Sequence, residues 1–176
     1  MIRYWIVSCI YVYYLTFSVL NYFQYGFEYL FIPCFGCAEQ MAFYSFTDGA
    51  YRHTLNLASS AWFLYSPAYD LVSSGVVCIG PTTNNIVEYW VVICLLTESA
   101  SKDVHNLVVL MESQLVVCHL NHVYTIKNHV LLHLFWRVRL LERSFEVITY
   151  RHIPMANNAV ANSMTNYILD WYIAHS

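Results

Sequence analysis

The chain has 176 residues and a formal charge of −3 at neutral pH; 59% of it is hydrophobic, 18% aromatic and only 11% charged. Soluble domains average about 25% charged residues, so this composition excludes an intrinsically disordered chain, and the length makes one domain the default. A negative total excludes a global basic field for nucleic acid, though not a local one.

In chain order, the apolar excess comes first. No charged residue lies between Arg3 and Glu28. Residues 4–20 approach the roughly 20 residues that a spanning helix needs. Asn21 and Gln24 weaken an extension, and many of the apolar positions are Tyr, which prefers membrane interfaces to bilayer centres. Arg3 is a minimal basic start for a signal peptide, but no small-residue cleavage site precedes Ala38. Residues 1–37 are therefore set apart as a hydrophobic N-terminal segment. A membrane anchor, a signal-like leader, a buried or poorly ordered extension and a non-native leader all remain open for it. Of the six cysteines, only Cys34-Phe-Gly-Cys37 has a motif spacing. A strand and helix in a βαβ setting are not readable around it, and no second ligand pair completes a zinc site, so two ordinary thiols in a loop are expected.

From about residue 41 charges, turns and periodicity appear, and a single domain is expected over residues 41–176. Met41–Thr47 is an apolar run ending at Asp48-Gly49-Ala50, which predicts a strand running into a turn. Leu57–Ser66 and Leu71–Ile79 read as two more strands joined by a Ser66–Asp70 loop, an antiparallel hairpin. Gly80–Asn85 is a break, and Thr83 or Asn84 can cap a helix over residues 85–99. Asn106–Met111 is a buried-type strand, and Ser113–Leu120 a short helix. Residues 127–143 carry Val130, Leu131, Leu134, Val138 and Leu141 at helical spacing, with Arg137, Arg139 and Arg143 elsewhere on the surface. Phe145–Ile153 alternates as a strand, and Asn157–Trp171 reads as a last helix. The order β-β-β-α-β-α-α-β-α predicts an α/β fold with a mixed sheet and helices on its faces.

Three acidic residues sit where chemistry is usually placed. Asp48 ends the first strand, Glu88 lies in the first turn of the first helix, and Glu112 ends the fourth strand. If strands one and four are parallel neighbours, Asp48 and Glu112 emerge at one sheet edge and Glu88 reaches them from the crossover helix. Carboxylates held that close repel one another, and a divalent cation relieves the conflict. Oxygen-only ligands suit magnesium or manganese rather than zinc. His129 and His133 have i, i+4 spacing, but no acidic third ligand accompanies them.

Several ordered motifs carry a resemblance. They are Phe-Thr-Asp48-Gly49-Ala50, Thr82-Thr83-Asn84-Asn85-Ile86-Val87-Glu88-Tyr89 and Glu112-Ser113-Gln114-Leu115-Val116-Val117. Tyr124-X-Ile126-Lys127-Asn128, His152-Ile153-Pro154 and Asn158-X-X-Ala161-Asn162 follow. From about Met41 to Trp171 the chain resembles the ribonuclease H type 1 domain, particularly the form found in plant retroelement polyproteins. The resemblance implies the ribonuclease H-like fold, with a five-stranded mixed sheet. It also implies hydrolysis of the RNA strand of an RNA/DNA hybrid with two magnesium (or manganese) ions held by four carboxylates. Carried over, Asp48 would bridge both ions, Glu88 and Glu112 would hold one, and Asn162 the other. His152 would be a mobile loop histidine assisting proton transfer or product release. Gly49, Asn84, Asn85, Ser113 and Gln114 would contact the hybrid, where the 2′-hydroxyl distinguishes RNA from DNA. The three arginines after residue 136 would help grip the DNA strand. The implied setting is nucleus or cytoplasm, unless residues 4–20 anchor the chain in a membrane.

Departures from the pattern fall on the metal site. Glu112 stands for Asp, and one extra methylene moves its oxygens by about 1 Å, a misplacement that can cost on the order of 100-fold in rate. Asn162 stands for a fourth acid and brings no charge, so the second ion is in doubt. Met155 replaces an Arg, and Tyr51–Asn56 lacks the family's glycines. The expected function is a ribonuclease H-type hybrid endonuclease with impaired catalysis. A non-catalytic nucleic-acid-binding module and an inactive retroelement relic are the alternatives.

Overall fold

The computed structural model describes residues 41–52, 57–159, 161, 163, 165–167 and 170. The N-terminal apolar segment, the Cys34/Cys37 pair, most of the glycine-poor stretch and Asn162 lie outside the described residues. Among those described, no helix is long and apolar enough to cross a membrane.

The elements are β1 (Phe43–Arg52), β2 (Leu57–Tyr65), β3 (Leu71–Ile79), α1 (Asn84–Ser101), β4 (Asn106–Met111), α2 (Gln114–Leu120), α3 (His129–Leu141) and β5 (Val147–His152). Short 3-10 turns cover Glu142–Ser144 and Met155–Asn157, and residues 159–170 include a helical segment. The sheet has five strands in the order β3-β2-β1-β4-β5. β1–β2 and β2–β3 pair antiparallel; β1–β4 and β4–β5 pair parallel. This is the mixed sheet expected from the element order.

The β2–β3 hairpin turns on Ser66. Its Oγ accepts from the Ala68 and Asp70 amides, while its own amide donates to the Asp70 carbonyl. Tyr69 takes a left-handed φ of 65° there, and its ring stacks 5.7 Å from Tyr44.

β2 is covered on both faces, which explains its nearly continuous apolar run. Leu64 and Trp62 join the main core with α1, β4, α2 and α3. Ala61, Phe63 and Tyr65 pack with Ala161 of the C-terminal helical segment. α1 is apolar nearly all round because it lies between the sheet and α3; Val87, Tyr89, Val91, Val92, Leu95 and Leu96 are fully buried. Within this core the Tyr89 hydroxyl meets His119 Nδ1 at 3.0 Å, and burial lowers the pKa of that imidazole.

Trp62 lies flat against Gly75 of β3. A Cβ at residue 75 would sit 2.0 Å from the indole Cζ2, whereas one at Gly80 would meet nothing within 4 Å. Gly75→Ala is therefore expected to cost about 1–3 kcal/mol by overpacking, and Gly80→Ala less than about 0.5 kcal/mol. Thermal unfolding of the two variants side by side checks this; equal midpoints would remove the indole from the argument.

The structure revises several local expectations. β1 does not stop at Thr47 but continues through Asp48 to Arg52, because β2 keeps pairing with it as far as Arg52↔Leu57. Only its parallel pairing with β4 stops, at Thr47↔Met111. Thr83 is the N-cap of α1 by position, without a side-chain cap bond, so Glu88 falls in the second turn of the helix rather than the first. Ser113 caps α2, its Oγ accepting from the Val116 amide, so Glu112 is free of a capping role. His152 is the last residue of β5 rather than part of a loop.

Candidate active site

Strand lengths create the site. β4 ends at Met111 while β1 runs on, so the β4 side of β1 is open from Asp48 onward. Asp48 and Glu112 each stand one residue beyond the last β1–β4 partner pair. Glu88 enters from α1, which packs across β1 and β2. Three carboxylates thus converge on one notch from three elements.

Gly49 permits the approach. A Cβ there would lie 3.0 Å from Val87 Cγ1 and 3.2 Å from the Glu88 carboxyl carbon. The Gly49 backbone amide acts to lower the pKa of both Asp48 and Glu88, against the larger effect of burial.

The electrostatics are those of crowded acids in a dry place. Asp48 is buried, and desolvation raises its pKa against the opposing hydrogen bonds of Thr165 and Gly49. Glu88 is only 3% exposed. Burial drives its pKa well up, and the Asp48 and Glu112 charges push the same way. Glu112 is half-buried; burial raises its pKa most, with the Asn158 hydrogen bond and the His152 charge opposing. Among the described residues, Glu88 Oε2 is buried without a hydrogen-bond partner. An orphaned carboxylate oxygen beside two further carboxylates fits a hard divalent cation. Among the described residues no three His, Cys, Asp or Glu side chains are grouped so as to hold a metal ion.

The C-terminal segment completes the notch. Asn158 Nδ2 donates to the Thr47 carbonyl at 2.9 Å and to Glu112 Oε1 at 3.0 Å. Thr165 Oγ1 donates to Asp48 Oδ2 at 2.6 Å, and also lies 3.2 Å from the Ala161 carbonyl. In the sequence Asn158 stands out only as part of a motif, and Thr165 carries no signal of its own. Asn158 precedes the helical segment, in which Ala161 and Thr165 lie four residues apart on one face, so the i, i+3, i+7 spacing was the available signal.

Other expected site residues lie at the rim. Asn84 begins α1 and is exposed; Asn85 is half-exposed. Ser113 and Gln114 open α2 directly after Glu112, Gln114 being exposed. His152 is exposed, pairs in register with Met111 and acts electrostatically on Glu112. The arginines divide. Arg137 stacks over Trp90, 4.7 Å from its centroid, and Arg139 is paired with Glu142 at 2.7 Å and with His122. Arg143 is exposed. His129 and His133 are exposed on α3, and no metal-holding cluster of three or more His, Cys, Asp or Glu occurs among the described residues.

Comparison with known proteins agrees with this architecture. Residues 46–168 match the family described as reverse transcriptase-like. The bifunctional protein Rv2228c of Mycobacterium tuberculosis is 33% identical over 92 residues, 52% of this chain and 25% of that protein. Its N-terminal RNase H domain superposes with a TM-score of 0.72 at 25% identity, covering 77% of this chain and 98% of the solved one. Ribonuclease HI of Halobacterium salinarum is 30% identical over 127 residues, 72% of this chain and 64% of that protein. Its crystal structure gives a TM-score of 0.70 at 29% identity, covering 73% of this chain and 98% of the other. LC11-RNase H1, solved in complex with an RNA/DNA hybrid, gives 0.69 at 25% identity, over 74% and 99% of the two chains. This chain spans a quarter of the mycobacterial relative and just under two thirds of the halobacterial one. With its parallel β1–β4 pair, its crossover helix and that family match over most of its length, the chain belongs to the reverse transcriptase-like family, as a ribonuclease H type 1 domain.

Proposed function

We propose that residues 41–176 bind RNA/DNA hybrids and cut the RNA strand as a metal-dependent endonuclease, at a reduced rate, and that the domain derives from a retroelement polyprotein. The observation that carries this reading is the buried Glu88 carboxylate, with one unpartnered oxygen and the charges of Asp48 and Glu112 acting on it. The complex of LC11-RNase H1 with a hybrid supports the substrate class.

Asp48, Glu88 and Glu112 would hold a magnesium or manganese ion, and Asn162 would contribute a neutral oxygen to a weaker second position. When bound, such an ion would lower the pKa of a water so that it is nucleophilic at neutral pH, and would offset the charge on the leaving 3′ oxygen. The chain's own residues do the rest. Gly49, by lacking a Cβ, lets the Glu88 carboxyl come close to β1 beside Asp48. His152 is exposed and acts electrostatically on Glu112, and would pass a proton to or from the outer side of the site. Asn84, Asn85, Ser113 and Gln114 offer side-chain donors and acceptors at two helix starts flanking the notch, suited to 2′-hydroxyl contacts across a minor groove. With a net charge of −3, hybrid affinity should be modest and should fall steeply with salt.

The test is cleavage of a labelled hybrid by the full chain, in magnesium and in manganese, with Asp48→Asn as background. Cation-dependent cleavage above that background, slower than an intact ribonuclease H by on the order of 100-fold, is expected. Rates equal to an intact enzyme would sink the impairment, and rates equal to Asp48→Asn would sink the enzyme reading.

A further inference from the structure

The C-terminal segment touches the site through two neutral donors. Thr165 Oγ1 lies 2.6 Å from Asp48 Oδ2, within the range of a charge-assisted O–H···O⁻ bond. Both residues are buried, so the bond is shielded from water. Asn158 is 1% exposed, and its single NH2 group spans the Thr47 carbonyl of β1 and the Glu112 carboxylate.

We propose that Thr165 and Asn158 are positioning residues that hold the Asp48 and Glu112 carboxylates for cation binding. The proposal rests on the metal-dependent reading above and assigns residues to it. A carboxylate offers about four lone-pair sites. A fixed hydroxyl donor takes one of Asp48's and sets the plane of the group, leaving the others directed at the notch. Glu112 carries one methylene more than Asp and has an extra rotor to restrain. The Asn158 amide restrains it by bonding Oε1 while anchored on the Thr47 carbonyl. Outer partners of this kind orient ligands, and their loss typically costs 10–100-fold in metal affinity.

The experiment is a manganese titration of the full chain, read as free Mn²⁺ by electron paramagnetic resonance, without substrate. Thr165→Val keeps the side-chain shape and removes the hydroxyl; Thr165→Ser keeps the hydroxyl. The expected result is about a 10-fold or greater loss of affinity for Thr165→Val, with Thr165→Ser within about threefold of the parent. Asn158→Ala should weaken binding similarly. Apo thermal unfolding checks that each variant folds, and Thr165→Ala replaces Thr165→Val if the latter does not. Parent-like affinity in the variants lacking the hydroxyl and the amide overturns the inference alone. A parent chain that binds manganese no better than Asp48→Asn overturns the metal-dependent reading beneath it.

Discussion

Glu88→Gln is expected to raise the stability of the metal-free protein at neutral pH while abolishing hybrid cleavage. The Glu88 carboxyl is almost fully buried, has one orphaned oxygen and faces two other acids. Its ionised form is therefore disfavoured in the fold, by desolvation first and then by the Asp48 and Glu112 charges. Asp48 and Glu112 are shifted in the same direction. An acid whose pKa is raised by folding holds its proton more tightly folded than unfolded. Its contribution is fully favourable below about pH 4, the ordinary carboxylate range. It is lost as pH climbs through the raised folded values. In chelator, the parent should thus lose stability from mildly acid to neutral pH, and Glu88→Gln should lose less. At pH 7.5 the gain should be about 1–3 kcal/mol, seen as a midpoint at least about 3 °C higher. The amide adds a donor that can serve Asp48 or Glu112, so the change leaves no new buried charge. Cleavage should fall by more than about 100-fold, the upper end of the loss for outer partners, because a ligand is gone. A lower midpoint at neutral pH would show that Glu88 is paired better than its surroundings indicate.

That opposition between stability and chemistry also explains what was legible in the sequence. Fold class followed from periodicity and order: strands Leu71–Ile79 and Asn106–Met111 have the bounds their apolar runs suggested. The parallel neighbourhood of β1 and β4, posed as a condition, is the observed pairing. The true end of β1 was not legible, because Asp48-Gly49 reads as a turn. The strand continues there because β2 supplies partners and α1 needs Gly49's missing Cβ, and both are tertiary facts. Glu88 was singled out by position, but its burial was not, since a carboxylate early in a helix ordinarily means solvent and dipole. Thr165 escaped for a related reason. A threonine in a helix ordinarily bonds back to its own turn, as Thr97 does to the Ile93 carbonyl at 2.8 Å. Only the fold puts Asp48, 117 residues away in sequence, against its hydroxyl.

Asn162→Asp is expected to raise magnesium-dependent cleavage by about 10- to 100-fold and to lower stability in chelator. The motif Asn158-X-X-Ala161-Asn162 resembles one that ends in an acid, and by that resemblance an acid at residue 162 would join Asp48, Glu88 and Glu112. A full negative charge about 4 Å from a divalent cation is worth about 8 kcal/mol at an effective dielectric of 20, twice the value for two unit charges. An amide oxygen retains part of that, and tenfold in rate needs only about 1.4 kcal/mol, so the range is conservative. The same charge, without a cation, joins three acids whose pKa values are already raised. The thermal midpoint in chelator should therefore drop, and the increment on adding magnesium should exceed the parent's, by linkage between binding and folding. These two signs separate a vacant ligand position from a general surface effect. A surface acid would leave both midpoints and the rate where they were. An acid in the site must move the chelated midpoint down and the magnesium increment up together, because one repulsion is the source of both.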